Sequence, residues 1–517
     1  MLNPSVMRWV TDDRVMKATE GLLDARTRVK AAVQVLLNGH ELPPVDPALD
    51  PSIAGIETGR GSEAKNGNSN GHSVANGNGN GKASASISIS DVSTRSARGS
   101  EDMDESLRER STLASIGGRD VLEKCQKFMA ADNARKMGIY PFFRPLDLND
   151  GPEAVINGRR VVMFGSNNYL GLTTHPRVRE ASKAAIDRFG TSMTGSRLVN
   201  GSMKLHEEFE EKLAAWFGKE SALVFTTGYQ VNVATCSALL SNKQSVAVID
   251  RNVHASLYDG VRLGQSAGAR LVRYRHNDAE SLDKTLEKLE AGEGALVITD
   301  GVFSAEGEIA HIDQLVPIVK KHGARLFVDD AHALGVIGPE GRGSSHHFGV
   351  SAEVDLIGGT FSKSLASIGG YLVGERKVLD YIRHFAPSFM FAAAAAPPCV
   401  AAAMAAFDVM REESWRIDKL HENFNYMRTE LQKMGFELGH TQTAVIPIFV
   451  RQDLRTIMMW RDLLEEYGVY TNPFISPGVP PKSAMLRTSY MATHERSHLD
   501  RGLEAFEKVG KKYGVIK

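Results

Sequence analysis

Cysteine is scarce in this chain of 517 residues: only Cys125, Cys236 and Cys399 occur, and none has the paired spacing of a zinc site. This scarcity argues against disulfides and metal binding, and it predicts a reducing, cytoplasmic location. The first residues lack a long apolar run, so we expect no secretory signal.

Excess charge of one sign is also missing, since 61 Lys and Arg stand against 62 Asp and Glu, a formal net charge of -1. The balance excludes a strong electrostatic attraction for nucleic acid or for an anionic membrane. Hydrophobic residues make up 42% of the chain and charged residues 24%, which is ordinary for a soluble globular protein of more than one domain.

Charged residues are absent from 385–407, a stretch long enough to span a bilayer. Pro387, Pro397 and Pro398 interrupt it, and 11 of its 23 residues are alanine, which is only weakly apolar. We therefore expect a buried strand end followed by a core helix, and no transmembrane span.

Composition and periodicity divide the chain into five parts. Residues 5–37 have helical periodicity, 66–81 are rich in Asn, Gly and Ser, 83–104 are rich in Ser, and helical patterning resumes near 105 and over 121–137. Such polar tracts cannot bury enough apolar surface to order themselves. The parts are an N-terminal helical extension (1–40), a flexible low-complexity linker (41–110), an N-terminal arm (111–170), a large domain (171–414) and a small C-terminal domain (415–517).

Strands alternate with helices from residue 161 onward. The apolar runs predict strands over 161–164, 223–225, 247–249, 270–274, 295–299, 325–328 and 355–357. This alternation indicates an α/β fold with a mostly parallel sheet covered by helices. After about Ser414, a long helix, a strand at 444–450 and helices at 454–467 and 498–513 predict a smaller α+β part.

The hexapeptide GTFSKS at 359–364 is the most informative motif, because it places Lys363 in a small-residue loop after an apolar run. A lysine whose pKa is lowered there can form a Schiff base with a carbonyl. Thr360 and Ser362 add hydroxyls suited to a phosphate, and the combination suggests pyridoxal phosphate (PLP). An ordinary surface lysine is the alternative, and the motifs upstream argue against it.

Asp329 and His332 follow the apolar strand at 325–328, and open α/β sheets bind ligands at such strand ends. An ionised Asp329 suits the ring nitrogen of PLP, and His332 suits the ring oxygen. The alternative for Asp329 is a helix N-cap.

Four further segments carry candidate site residues. A strand ends before Gly228 and a helix begins there, which suits a phosphate; His254 and Ser304 also follow strands. Arg487 lies on a short apolar strand, where it could bind a carboxylate through its fork of donors or form a surface salt bridge.

Together, these motifs resemble the α-oxoamine synthases, and the resemblance covers residues from about 120 to the C-terminus. The motifs that carry it are GSNNYLGL at 165–172, TGSR at 194–197, TGYQ at 227–230, HAS at 254–256, DDAH at 329–332, GTFSKS at 359–364 and LR at 486–487. Within the family, GIYPFFRP at 138–145, RYRHN at 273–277 and TSYMATH at 488–494 are most similar to the soluble bacterial serine palmitoyltransferases.

The resemblance implies a fold-type I PLP-dependent transferase, similar to aspartate aminotransferase, in which the large domain binds PLP. Lys363 then holds PLP as a Schiff base and moves the Cα proton, while His254 stacks on the ring. Asp329 contacts the ring nitrogen, and His332 and Ser304 approach the ring oxygen. The phosphate and the substrate carboxylate are bound by the remaining candidates, which are Gly228, Tyr229 and Thr360 for the phosphate, and Arg487 and Asn167 for the carboxylate.

The implied reaction condenses an amino acid, serine by preference, with an acyl-CoA or acyl carrier protein thioester and releases carbon dioxide. With L-serine and palmitoyl-CoA the product is 3-ketodihydrosphingosine, the first intermediate of sphingolipid synthesis. The resemblance also implies a homodimer and allows transient contact with a membrane surface.

Two departures from the family pattern bear on the substrate and on PLP. Pro387 occupies a position where relatives often have arginine, and the run from Ala392 to Ala396 replaces hydroxyls that a partner subunit usually lends to the phosphate. Ile475 stands where some serine palmitoyltransferases have a second arginine, which leaves the amino acid open.

Other functions remain open on the sequence. Glycine C-acetyltransferase, 8-amino-7-oxononanoate synthase, 5-aminolevulinate synthase and polyketide or carrier-protein-linked synthases share the core motifs. A non-catalytic regulatory subunit is disfavoured because Lys363, His254 and Asp329 are all present. The N-terminal extension is either a poorly ordered tail or a docking helix for a carrier protein or another partner.

Overall fold

The computed structural model describes residues 119–517, which fall into two compact units, 119–138 and 139–517. The predicted helical extension and linker, residues 1–110, lie outside the described residues. In the first unit, where helical patterning was predicted over 121–137, the helices are α1 (Glu123–Gln126) and α2 (Ala130–Lys136).

The second unit alternates strands and helices along most of its length. Its strands are β1 (Leu148–Asp150), β2 (Glu153–Ile156), β3 (Arg159–Met163), β4 (Ser221–Phe225), β5 (Ser245–Asp250), β6 (Arg270–Tyr274), β7 (Gly294–Asp300), β8 (Arg325–Asp329), β9 (Leu356–Thr360), β10 (Gly370–Gly374), β11 (Val445–Phe449), β12 (Val469–Tyr470), β13 (Asn472–Phe474) and β14 (Met485–Ser489). Its α-helices are α3 (Pro176–Phe189), α4 (Lys204–Phe217), α5 (Gly228–Leu239), α6 (Ala255–Ser266), α7 (Ala279–Leu286), α8 (Ile312–Lys321), α9 (Ser344–His347), α10 (Arg376–Phe385), α11 (Pro387–Met390), α12 (Pro397–Glu412), α13 (Trp415–Lys433), α14 (Asp453–Glu465) and α15 (Arg496–Lys512).

The central sheet has seven strands in the order β4-β10-β9-β8-β7-β5-β6. Neighbours from β9 to β6 are parallel, whereas β10 is antiparallel to both β4 and β9. The prediction of a mostly parallel sheet is therefore confirmed. The strand β10 is not among the predicted strands, because its glycine ends resemble a loop and no helix separates it from β9.

The predicted strand at 161–164 exists as β3, but it does not join the central sheet. It lies in a four-stranded sheet of order β1-β2-β3-β12, where it pairs antiparallel with β2 and parallel with β12. Asn157 and Gly158, with φ of 50° and 72°, form the tight turn between β2 and β3. Because this turn is so short, β3 pairs with β2, its neighbour in the sequence, and not with the central sheet.

The C-terminal part matches the predicted order of one long helix, a strand and two more helices. Its helices α13, α14 and α15 accompany a three-stranded sheet of order β11-β14-β13. This sheet matters for function because β14 carries Arg487 at its centre. The division of the chain at residues 170 and 414 stays a prediction.

In the uncharged stretch at 385–407, α11 and α12 flank a short non-helical segment in which Ala393 makes an isolated β-bridge to Ser196 instead of the expected strand end. Pro387 and Pro397 open α11 and α12, since the first turn of a helix does not need the proline N–H. The expected core helix is present, because α12 buries Val400, Ala403 and Phe407 and packs on α3. Within residues 119–517, the structure contains no helix long and apolar enough to cross a membrane.

The first prediction concerns β10, a strand of the central sheet. Leu372 is fully buried between β4 and β9, so Leu372→Ala should lower the free energy of unfolding by about 2–5 kcal/mol through lost burial and a residual cavity. Leu263→Ala, at a site that is 52% exposed, is the control and should change it by less than about 0.5 kcal/mol. Urea titration followed by tryptophan fluorescence measures both; equal effects would contradict the placement of β10.

Candidate active site

A cavity of about 310 Å³ lies at the carboxyl edge of the central sheet, between the ends of β7, β8 and β9 and the start of α5. Seven of the ten site residues predicted from the sequence line it. They are Lys363, Gly228, Tyr229, His254, Asp329, His332 and Thr360. The other three, Ser304, Asn167 and Arg487, meet in a neighbouring cluster.

Lys363 lies in the short loop that joins β9 to β10. The loop is closed by hydrogen bonds from the Phe361 N–H to the Gly369 carbonyl and from the Ser367 N–H to the Phe361 carbonyl, both 2.9 Å. Burial lowers the pKa of Lys363 to about 8, although the nearby Asp329 carboxylate opposes this shift. A fraction of the amine is therefore neutral near neutral pH and can act as a nucleophile.

Asp329 ends β8 and faces the same cavity. Its Oδ1 accepts the Ala331 N–H at 2.9 Å, and its Oδ2 accepts Nδ2 of Asn232 at 2.6 Å. The bond to Ala331 is a local turn contact, whereas the bond to Asn232 holds the carboxylate toward the cavity from a different element, α5. The position suits a ring nitrogen better than a simple helix cap.

His254 caps the N-terminus of α6 and is fixed on both sides. Its N–H donates to Asp300 Oδ1 at 3.3 Å, and its Nδ1 lies 2.7 Å from the Ser256 hydroxyl. Burial lowers the pKa of His254, so the imidazole is neutral at physiological pH. Burial also raises the pKa of Asp300 well above its ordinary value, and the neighbouring Asp329 adds to the effect.

His332 is held by a tyrosine that the sequence analysis gave no role. Its Nδ1 lies 2.7 Å from the Tyr169 hydroxyl, which is also 3.4 Å from Asn167 Oδ1. Burial lowers the pKa of His332 well below its usual value, with Lys363 contributing further. His332 therefore presents a neutral, oriented ring to the cavity.

The N-terminus of α5 opens onto the cavity. Thr227 caps the helix by accepting the Gln230 N–H at 3.1 Å, which leaves the N–H groups of Gly228 and Tyr229 without partners inside the helix. A Cβ on Gly228 would lie 2.6 Å from Thr360 Cβ, so only glycine permits this approach of α5 to β9. The Tyr229 hydroxyl bonds to Asp259, so Tyr229 offers its backbone rather than its hydroxyl to an anion.

Arg487 is 3% exposed at the centre of β14 and bonds to neutral groups. Nε donates to the Ser304 carbonyl at 2.6 Å, and the terminal nitrogens donate to the Ser489 hydroxyl at 2.7 Å and to Asn167 Oδ1 at 3.0 Å. Among the residues that the structure describes, no carboxylate pairs with Arg487. A buried guanidinium without a counter-ion is costly, so this cluster is suited to receive a carboxylate.

Three residues of the site were missed by the sequence analysis, although each left a signal. Asn232 lies one helical turn after Gly228, Asp300 ends β7, and Tyr169 stands inside the GSNNYLGL motif. Ser304 was predicted to approach the ring oxygen, but it is its carbonyl that bonds, to Arg487. The predicted role of the Ser304 hydroxyl at the ring oxygen is not tested by these contacts and stays a prediction.

The alanine run is used through its backbone. The Ala393 carbonyl accepts the Thr226 hydroxyl at 2.5 Å, and the Ala394 N–H donates to the Gly195 carbonyl at 2.9 Å. A Cβ on Gly201 would come within 2.8 Å of Ala394 Cβ, so a larger side chain at Ala394 would crowd this contact. Ile475 is buried just beyond β13, next to Phe474, whose ring lies 5.9 Å from the Arg487 guanidinium.

Comparison with known proteins decides the family. The sequence profile of aminotransferase class I and II matches residues 159–506, two thirds of the chain. The chain belongs to this family. The α/β fold predicted for it, a fold-type I transferase, is thereby confirmed.

Three relatives define its place within the aminotransferase class I and II family. Over 389 residues it is 41% identical to a serine palmitoyltransferase of Sphingobacterium spiritivorum, covering 75% of this chain and 96% of the relative. An 8-amino-7-oxononanoate synthase of Thermoanaerobacter pseudethanolicus is 36% identical, with 74% and 96% covered. A solved serine palmitoyltransferase with PLP as an internal aldimine superposes with a TM-score of 0.74 at 34% identity, covering 77% and 100%. The resemblance to the α-oxoamine synthases is thus confirmed.

The second prediction follows from the lowered pKa of Lys363. After hydroxylamine treatment to release any bound carbonyl compound, a small aldehyde with a mild borohydride should label Lys363 with a half-maximal rate near pH 8, since the neutral amine is the reactive form. Exposed Lys204, whose pKa is raised by Glu207, should label at that pH far more slowly. Peptide mass spectrometry over a pH series measures both.

The variant Asp329→Asn tests whether the Asp329 carboxylate influences the pKa of Lys363. Because the Asp329 carboxylate raises the pKa of Lys363, its removal should move the Lys363 labelling curve to lower pH and leave that of Lys204 unchanged. An unmoved curve, or one centred near the ordinary lysine value of 10.5, would contradict the described electrostatics.

Proposed function

We propose that the protein catalyses the PLP-dependent condensation of L-serine with a long-chain acyl thioester, palmitoyl-CoA by preference, with loss of carbon dioxide, to give 3-ketodihydrosphingosine. The observation that carries the proposal is a buried arginine that no carboxylate of residues 119–517 pairs with, beside a cavity in which a low-pKa lysine meets an aspartate. This set has a group for each part of an amino acid joined to PLP.

The residues of the cavity fit PLP by shape and by chemistry. The start of α5 and Thr360 form a cradle that a Cβ on Gly228 would fill, as a phosphate requires. Asn232 keeps an unpartnered, buried Oδ1 next to Asp329, which points to a polar group absent from the protein itself. When bound, PLP supplies an electron sink that stabilises negative charge at the amino-acid Cα.

The side chains around this cradle divide the work. Lys363 would hold the cofactor through its Nζ, and the same Nζ would take up and return the Cα proton of the amino acid. Asp329, oriented by Asn232, would favour the protonated form of the ring nitrogen. His254, neutral and fixed by Asp300 and Ser256, would lie against the ring and leave space for a carboxylate.

Arg487 and Asn167 receive the substrate carboxylate in this scheme. The fork of Arg487 is pre-oriented by Ser304 and Ser489, so little side-chain freedom is lost on binding. The carboxylate would provide the missing counter-ion of Arg487, whose charge is close enough to Lys363 to lower its pKa. We also propose that the protein is a homodimer, that it is located in the cytoplasm, and that a carrier protein can deliver the acyl group in place of coenzyme A.

Serine is favoured because three relatives that are 40–41% identical, matched over 94–96% of their length, are serine palmitoyltransferases. The second candidate is another α-oxoamine synthase, such as an 8-amino-7-oxononanoate synthase. A relative of that name is 36% identical, and the buried Ile475 in place of a second arginine weakens the case for serine.

The third prediction tests the amino acid. The purified protein with PLP should show a visible absorption band that changes saturably with L-serine and not with L-alanine or glycine. Lys363→Ala should lose the band of the free protein, since its Schiff base to PLP requires the amine. A response to L-alanine or glycine alone would favour a sister synthase, and no band at all would support a regulatory subunit.

The fourth prediction concerns the carboxylate. Arg487→Gln should raise the dissociation constant of L-serine about 10- to 150-fold, which corresponds to the 1.5–3 kcal/mol of a hydrogen bond to a charged group. Arg376→Gln, at an exposed arginine of α10, is the matched control and should bind L-serine normally. Unchanged affinity in Arg487→Gln would exclude the proposed carboxylate site.

A further inference from the structure

A second group of charged residues lies beside the cavity, where β5 and β6 end. Asp250, fully buried at the end of β5, is its centre. Around it stand His276 and Asn277, from the RYRHN segment that the sequence analysis singled out, and Glu308 from the loop after β7. None of these residues lines the cavity.

The Asp250 carboxylate joins two loops. Oδ1 accepts the Asn252 N–H at 2.8 Å and lies 3.1 Å from His276 Nδ1, while Oδ2 accepts the Asn277 N–H at 2.7 Å. Asn252 precedes His254 by two residues. The loop that carries His254 and the loop after β6 are therefore tied to one buried carboxylate.

His276 extends this connection to a third loop. Its Nε2 lies 3.5 Å from Glu308 Oε2, an ion-pair contact too long for a well-formed hydrogen bond, and its ring packs edge-on against Phe303 at 4.3 Å. Burial alone would lower the pKa of His276, but Asp250 and Glu308 outweigh it and raise the pKa to about 10. The ring is an imidazolium that bridges two carboxylates.

The third loop is a tight hairpin over residues 302–309. The Phe303 N–H donates to the Glu308 carbonyl at 3.0 Å, and the Gly307 N–H donates to the Phe303 carbonyl at 2.9 Å. Asn252 also reaches it, donating to Glu306 Oε1 at 3.1 Å. At its tip, the Ser304 carbonyl accepts Nε of Arg487 at 2.6 Å.

We propose that His276, held by Asp250, is a positioning residue for the substrate carboxylate: it fixes the hairpin whose Ser304 carbonyl orients Arg487. The inference rests on the proposed function, since it assigns to Arg487 the amino-acid carboxylate. It places His276 two contacts away from the substrate, because His276 holds the hairpin and the hairpin orients Arg487.

Charge and geometry explain why a histidine stands here. The ring contacts the carboxylates of Asp250 and Glu308, and Glu306 adds to the negative potential, so a cation offsets the charge of this half-buried cluster. The opposite side of the hairpin is held through neutral bonds, from the Gln442 N–H at 3.1 Å and the Thr443 hydroxyl at 3.0 Å to the Gly307 carbonyl. Loss of the imidazolium therefore loosens one side of the hairpin and leaves the other attached.

His276→Gln removes the charge and keeps a hydrogen-bonding side chain of similar reach. The dissociation constant of L-serine, measured by the spectral titration, should rise about two- to thirtyfold, the range for residues that act on a ligand without touching it. The band of the free protein should not change, because Lys363 and Asp329 are untouched. The matched control is His322→Gln, which removes another histidine paired with an aspartate, 2.6 Å from Asp283, on the surface of α7 and α8.

A double variant separates positioning from general destabilisation. In an Arg487→Gln background the effect of His276→Gln on L-serine affinity should disappear, because the guanidinium that it orients is gone. Additive effects of the two substitutions, or unchanged affinity in His276→Gln alone, would overturn the proposal.

Hydrogen exchange makes the test independent of the substrate. The Phe303 and Gly307 amides should exchange faster in His276→Gln than in wild type or in His322→Gln, while amides of the central strand β8 stay protected. If L-alanine or glycine binds instead of L-serine, the same affinity comparison uses that amino acid. If none binds, the proposed function fails and the exchange rates decide whether His276 fixes the hairpin; unchanged rates would exclude it.

Discussion

The burial of charge at one edge of the central sheet is the constraint on which the site depends. Asp329, Asp300, His332 and Arg487 are buried there, and Lys363 and His254 line the cavity beside them. Burial favours the neutral forms of His254, His332 and Asp300. It also lowers the pKa of Lys363 to about 8. The same penalty makes Lys363 a usable nucleophile and leaves Arg487 in need of a carboxylate.

Parallel strands bring these groups together because their carboxyl ends all face one edge. Asp250, Asp300 and Asp329 end β5, β7 and β8, and each uses its carboxylate to hold a loop or a neighbouring side chain. The sheet thus supplies rigid anchor points, and short loops carry the residues that meet the ligand. His276 belongs to this second layer, since it connects Asp250 to the hairpin beside Arg487.

Much of the fold and site follows from local sequence. Six of the predicted strands occur in the central sheet, because each is a short apolar run bounded by turns. β10 escaped notice since its glycines resemble a loop, and β3 was assigned to the wrong sheet because pairing partners are not encoded in a single strand. The helix α11 replaced an expected strand end because Pro387 favours a first helical turn.

The sequence by itself determined the chemistry of the site: a lysine in a small-residue loop, an aspartate ending a strand and a glycine opening a helix are each local patterns. Tertiary structure decided which distant groups meet. Tyr169 reaches His332, and Arg487 reaches Asn167, across 163 and 320 residues of chain. Such contacts depend on how separate elements pack, and packing is set by the whole core rather than by any one segment.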